Sequence, residues 1–371
     1  NKEDLLNNYL LNNTFVTTTS PGGSSGQTGQ TGQTSIGNLN RNIPKKVRII
    51  DIVNNTFKVY YPEEFDKNWS NEEVHFESLK KIVINTIINF KSIQYKLDKS
   101  KLNYLNNGTN SNFNLYINDN SETDNNNIYL EASKNENELK TNFIHSYLNK
   151  IQEKYIDNKS YDWIRVSTNV MFDEFLEVRK SVYKNLNLFF STYYLSLQSK
   201  RNNRHYGTFI YFKYLMDHYG GFLLIRNIWE DLSSTDDNSI KVINRNLKKI
   251  NNKYNFKESL LNFWITCSVM TNGTEIDEFY RLEYADYYLL YTDNIKKLFI
   301  NDITTNEISN LIDLEEYQNN KFSSLVFNLI VNKKNSNIEI DINFNNKDIQ
   351  WALLVKNENK WVVTKNESNS K

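Results

Sequence analysis

Residues 47–61 read VRIIDIVNNTFKVYY, and this stretch decides the class of fold. Val47–Ile52 and Thr56–Tyr61 are rich in β-branched and aromatic residues. Asn54-Asn55 between them is turn chemistry, so the segment is expected to form a β-hairpin. Immediately downstream the period changes. Across residues 72–96, Val74, Leu79, Ile82, Val83, Ile87, Ile88 and Phe90 recur at helical spacing, which predicts a long helix with one face turned inward. Phe113–Ile117 and Asn127–Leu130 alternate like short strands on either side of a polar Asn/Asp loop, and residues 136–156 return to helical spacing. The order β-β-α-β-β followed by helices is that of an α+β protein, a small mixed sheet and then a helical subdomain.

Helical patterns continue over about 161–200, 205–232, 238–252 and 256–299. Tyr280, Tyr284, Tyr287, Tyr288 and Tyr291 are expected on one face of the last of these. Near Leu314 the chain becomes β-rich again. Phe322–Asn332, Asn337–Phe344, Gln350–Lys356 and Lys360–Thr364 read as strands, with turns at Asn345-Asn346-Lys347 and Asn357-Glu358-Asn359. A β-sandwich-like C-terminal module is expected there. At the other end, Pro21–Gly37 holds six of the 11 glycines and three Gly-Gln-Thr repeats, the composition of a flexible tether. The expected organisation is therefore a tail and linker over 1–46, an α+β subdomain over 47–156, a helical subdomain over 157–313 and the β module over 314–371.

Composition removes several classes of function. The 371 residues carry 44 Lys+Arg against 44 Asp+Glu, so no net field draws the chain to nucleic acid or to an anionic membrane. One cysteine, Cys267, excludes an internal disulfide and any Cys-based zinc or iron–sulfur site. No apolar run reaches the length of a membrane span. The 6 Trp, 24 Tyr and 21 Phe supply core material for a folded protein. The 61 asparagines are what codon drift in an AT-rich genome produces, and they make sequons such as Asn54-Asn55-Thr56 and Asn272-Gly273-Thr274 uninformative. No P-loop, dinucleotide fingerprint or nucleophile elbow is present.

Chemistry, if there is any, centres on residues 136–156. Leu139, Phe143, Ile144, Tyr147, Leu148 and Ile151 form the apolar face of that helix. His145 and Asn149, four residues apart, share the opposite side with Ser146 next to them. The other histidines are His75, His205 and His218, and none has a second histidine at ligand spacing. The acids Asp173, Glu174 and Glu177 alternate with Arg179, Lys180 and Lys184 as a solvated, salt-bridged face would.

These segments resemble secreted zinc metallopeptidases of the gluzincin type, which have an H-E-x-x-H helix followed by a W-x-x-E-G-x-A helix. Residues 141–152, TNFIHSYLNKIQ, are similar to the first element. Trp163-Ile164-Arg165-Val166-Ser167-Thr168-Asn169, with Met171-Phe172-Asp173-Glu174, is similar to the second. Tyr206-Gly207-Thr208-Phe209 and Tyr214–Gly220 are similar to the helix that closes the back of the catalytic subdomain. The resemblance covers about residues 47–364 and implies a zincin-like fold. It also implies roles that the residues do not fill. The ligand positions fall on His145, Asn149 and Val166, and the general-base position falls on Ser146. Zinc needs three strong protein donors and a water, and a serine hydroxyl does not take protons near neutrality. The expectation is a pseudoenzyme without a metal cofactor. It is secreted or displayed at the cell surface, and it binds a polypeptide or surface partner in the former substrate cleft through residues such as Trp163, Asp173, Glu174, Tyr206 and His218. Two alternatives stay open. One is an active zinc peptidase that completes an unorthodox site with carboxylates or with His205 and His218. The other is an adhesive protein binding carbohydrate through its Tyr-rich face.

Overall fold

The hairpin at residues 47–61 forms as its sequence dictates. In a computed structural model that describes residues 46–52, 55–62, 71–97, 111–117, 127–131, 135–153, 161–175, 179–271, 273–283, 285–291, 299–305, 326–331 and 350–365, β1 (Lys46–Ile52) pairs antiparallel with β2 (Asn55–Tyr61). The register pairs Ile52 with Asn55, so the connection is the two residues 53–54, one position earlier than the asparagine pair suggested. The chain then enters α1 (Glu72–Leu97) and returns as β3 (Ser111–Ile117), parallel to β2. β4 (Asn127–Leu130) lies parallel to β3, and α2 (Glu136–Glu153) follows. The sheet order is β1-β2-β3-β4. A helical crossover between β2 and β3 is what a parallel pair requires.

Strict alternation sends Ile50, Ile52, Phe57, Val59, Leu115, Ile117, Ile128 and Leu130 to one buried face. From α1 come Phe76, Leu79, Ile82 and Val83, and from α2 come Leu139, Phe143, Ile144 and Leu148, all buried. The seam is aromatic. Phe57 lies 5.2 Å from Phe113 and 6.1 Å from Phe143, and Phe113 lies 5.5 Å from Tyr147. Two polar links hold α1 to the hairpin. The Arg48 guanidinium forks onto both oxygens of Glu73 at 2.8 Å and lies 3.7 Å above the Phe76 ring, and the Tyr61 hydroxyl meets His75 Nδ1 at 2.9 Å. The unit ends at Glu153.

The second unit, from Lys154, is mostly helical. Its elements are α3 (Asp162–Phe175), α4 (Arg179–Ser191), α5 (Arg204–Gly207), α6 (Phe209–Leu215), α7 (Gly221–Ser233), α8 (Ser239–Ile250) and α9 (Phe256–Val269), with a π-helical turn over Met216–Gly220. Every residue of α6 is buried, so it is the central helix of the unit. Gly207 lets α5 approach α4, because a Cβ there would stand 2.5 Å from the Asn185 carbonyl oxygen and from Phe189 Cβ.

The helix expected to run from 256 to 299 stops at Val269. Met270 takes the left-handed conformation (φ 43°), and a 3-10 turn at Glu278–Tyr280 is started by Asp277, whose carboxylate accepts from Phe279 N at 2.9 Å. A separate short helix, α10, covers Ala285–Tyr291. Tyr280 therefore does not share a helix face with Tyr288. At the end of the expected helical span comes strand β5 (Phe299–Thr305), which pairs parallel with β6 (Val326–Val331). The run Phe-Ile-Asn-Asp-Ile-Thr-Thr is β-branched and suits that state.

β7 (Ala352–Asn357) and β8 (Lys360–Lys365) form the expected hairpin, closed by Glu358-Asn359. The strand expected at Asn337–Phe344 lies outside the described residues. The β7–β8 hairpin is bonded to helical residues of its own unit. Trp361 N donates to Glu275 O at 2.6 Å, and Lys365 Nζ donates to Asn262 Oδ1 at 3.0 Å. The described strands from Phe299 onward thus form two separate pairs, and the second of these is hydrogen-bonded to residues 262 and 275.

Candidate functional site

Helix α2 starts where Asn135 accepts from Glu138 N at 3.0 Å. From there its period sets the faces. Leu139, Phe143, Ile144, Tyr147 and Leu148 are buried against the sheet, while His145, Ser146 and Asn149 are half-buried on the other side. The imidazole and the carboxamide at i and i+4 therefore share one stripe with the hydroxyl beside them. The chemistry of that stripe is one good nitrogen donor, one weak amide donor and a serine hydroxyl where a metallopeptidase helix would carry a carboxylate base. Among the described residues no group of three His, Cys, Asp or Glu side chains converges closely enough to hold a metal ion.

In the second unit the expected cleft residues take different places. Trp163 is an interior residue, 1% exposed, and its Nε1 donates to Ser239 Oγ at 3.0 Å. Its ring packs 5.5 Å from Phe212. An indole enclosed in this way is core filling and not a wall open to a ligand, which corrects the cleft role expected of it. Val166 is half-buried, one residue before Ser167, whose hydroxyl donates to the carbonyls of Trp163 and His205 at 2.5 and 2.8 Å. Asp173 and Glu174 lie on α3, and their side chains, like all of Glu177, are outside the described residues. Tyr206 is half-buried with its ring 4.7 Å from the His205 ring. His205 is nearly buried, and its Nδ1 has no hydrogen-bond partner. Burial, with Lys200 nearby, holds its pKa below the usual range.

His218 sits on the π turn, a type of irregularity frequent at functional sites. Its Nε2 lies 2.7 Å from the Arg281 carbonyl, so Nε2 carries the proton. The ring lies 4.7 Å from Tyr214 and 5.4 Å from Phe279, and burial lowers its pKa. This is a histidine held by packing and by one carbonyl.

Two buried cations went unremarked in the sequence. Lys213, fully buried on α6, donates to Asp217 at 2.5 Å and to Glu283 at 3.0 Å, so the loop before α10 is tied to the centre of the unit. Its i, i+4 spacing from Asp217 was legible, but its burial was not. Arg204, also fully buried, donates to the carbonyls of Phe189, Leu195 and Ser196 at 2.5, 3.1 and 3.2 Å and to Thr192 Oγ1 at 3.1 Å. It takes up the Leu195 carbonyl and adds a second donor to those of Phe189 and Ser196, which also accept from Thr192 N and Ser199 N, so the guanidinium fastens the turn after α4. Burial lowers its pKa to about 9. Cys267 is buried, and burial raises its thiol pKa well above the ordinary value.

No family model matches this chain, and no curated protein matches it. Among the described residues no helix is long and apolar enough to cross a membrane.

Proposed function

We propose that this protein is a metallopeptidase-like binding module that has lost catalysis, secreted or displayed at a cell surface, with a polypeptide as its partner. The observation that carries the reading is the outer stripe of α2. There His145, Ser146 and Asn149 have the spacing at which an H-E-x-x-H helix carries its two ligands and its base, and they are half-buried while the apolar face of the helix is docked on a sheet. The order β1-β2-α1-β3-β4-α2 supports a zincin-like frame for residues 47–156. The sandwich-like reading of the C-terminal strands rests on their alternating sequence, with the β7–β8 hairpin in support. With a single imidazole, an amide and Val166 at the ligand positions, zinc would lack the donors that hold it.

The test combines metal analysis with binding. The purified chain, dialysed against zinc-free buffer, is expected to hold far less than one zinc per molecule and to show no chelator-sensitive cleavage of casein. A displayed peptide library is expected to yield binders whose retention falls when Asn149→Trp crowds the stripe. Stoichiometric zinc with chelator-sensitive cleavage would establish the active-peptidase alternative and end the proposal.

A further inference from the structure

The face of the four-stranded sheet opposite α1 and α2 carries an ordered array of neutral polar rings and amides. Tyr60, Tyr116 and Tyr129 occupy matching positions on β2, β3 and β4. Their rings form a continuous stack, with centroids 4.6 and 5.2 Å apart and planes within 9° and 20° of each other. Two residues back along the strands runs a chain of amides. The Tyr60 hydroxyl donates to Asn114 Oδ1 at 3.4 Å, Asn114 Nδ2 donates to Asn127 Oδ1 at 3.0 Å, and Asn127 Nδ2 donates to the Tyr129 hydroxyl at 3.2 Å. All five side chains are half-buried, and within the described strands the charged residues on this face, Asp51 and Lys58, are exposed and of opposite sign, with the exposed Glu131 just past the end of β4.

We infer that this face is a binding site for a neutral saccharide, seated at the β4 edge against Tyr129 and Asn127. A sugar ring has a face of C–H bonds carrying partial positive charge and a rim of hydroxyls that both donate and accept. The first is attracted to the negative face of an aromatic ring. The second is met best by carboxamides and phenols, which also do both. Each amide of the chain spends one lone pair and one N–H on its neighbours, and each retains one of both for a ligand. The inner ring faces are consumed by the stack, so the ring face left for a ligand on this side is the outer face of Tyr129, on the last described strand of the sheet.

The same features argue against single-stranded RNA. Bases need ring faces to stack on, and a phosphate backbone needs several cations, whereas Lys58 is balanced by Asp51. The site is independent of the α2 stripe, which belongs to the opposite side of the sheet.

The purified chain is applied to an array of neutral, sialylated and sulfated glycans, and a short single-stranded RNA is titrated in parallel by fluorescence anisotropy. Retention of neutral glycans is expected, with no saturable RNA binding. Tyr129→Ala is expected to weaken the neutral hit by about tenfold or more, as loss of an aromatic stacking partner does. Tyr129→Phe is expected to retain most of the affinity. Because Tyr129→Ala removes packing from the sheet edge, Asn127→Ser serves as the second variant, with a loss of about fivefold expected from the missing amide bonds. The inference is overturned if no neutral glycan is held, if only sulfated or sialylated glycans or RNA bind, or if Asn127→Ser and Tyr129→Ala both bind like the parent.

Discussion

Acidification should unlock the first unit through one imidazole. His75 is completely buried between α1 and β2, its Nδ1 at 2.9 Å from the Tyr61 hydroxyl and its ring 5.6 Å edge-on to the Tyr61 ring. Desolvation lowers its pKa from 6.5 to about 4. The unfolded chain therefore binds a proton that the folded chain refuses anywhere between those two values. Stability is fully present above pH 6.5 and is lost progressively as pH falls toward 4, where the folded-state group itself titrates. At 1.36 kcal/mol per unit, about 2 kcal/mol is gone by pH 5 and about 3 kcal/mol at pH 4. Urea-dependent hydrogen exchange of amides in β2 and β3 measures this within the unit that holds the group. His75→Phe, which fills the site without a titrating atom, should flatten the profile between pH 6.5 and 5 whatever it does to absolute stability. If the strand amides keep the same exchange free energy from pH 7 to 5, or if the His75→Phe chain declines in parallel with the parent, the argument fails.

Three further outcomes follow from buried groups in the helical unit. Arg204→Ala removes four hydrogen bonds and takes from the Leu195 carbonyl its guanidinium donor, while the Phe189 and Ser196 carbonyls keep backbone N–H donors from Thr192 and Ser199, and should cost about 2–4 kcal/mol in urea unfolding; a loss below about 1 kcal/mol would show that water replaces the guanidinium freely. Asp217→Asn and Glu283→Gln should differ although both touch Lys213. The Asp217 side chain is 16% exposed and that of Glu283 61%, so the first should cost about 2–4 kcal/mol and the second under about 1 kcal/mol in the same assay, and equal losses would refute the distinction. Cys267 is buried with its thiol pKa raised, so a thiol reagent at pH 8 should label it only as fast as the chain opens, and urea should accelerate labelling in step with unfolding. Prompt labelling of the folded chain would contradict that burial.

The first unit was legible because its signals are local. Alternation in β1 to β4 and helical spacing in α1 and α2 each settle which face turns inward, and the structure adds only the parallel pairing of β2, β3 and β4. The region after residue 256 was not, because the backbone reverses at Met270, a residue with no preference for the left-handed region, and the Asn272-Gly273 turn signal just beyond it was outweighed by helical spacing on both sides. The apolar run through Cys267 and the tyrosines beyond it fit one long helix equally well. Trp163 was misjudged for a related reason. Its partner, Ser239, lies 76 residues away, and spacing along one helix says nothing about what another brings to it. The half-buried stripe of His145, Ser146 and Asn149 was readable from the period of α2, whereas the Tyr60–Tyr116–Tyr129 stack needed the strand register before three scattered tyrosines became neighbours.

Four of the 61 asparagines stand at helix starts. Asn71, Asn135, Asn238 and Asn255 each accept, through Oδ1, a backbone N–H three residues ahead, at 2.8 to 3.0 Å. Aspartate at any of the four would accept the same N–H and place a negative charge where the helix dipole favours one. The beginnings of these four helices are therefore points where an amide can be exchanged for a carboxylate without loss of the cap.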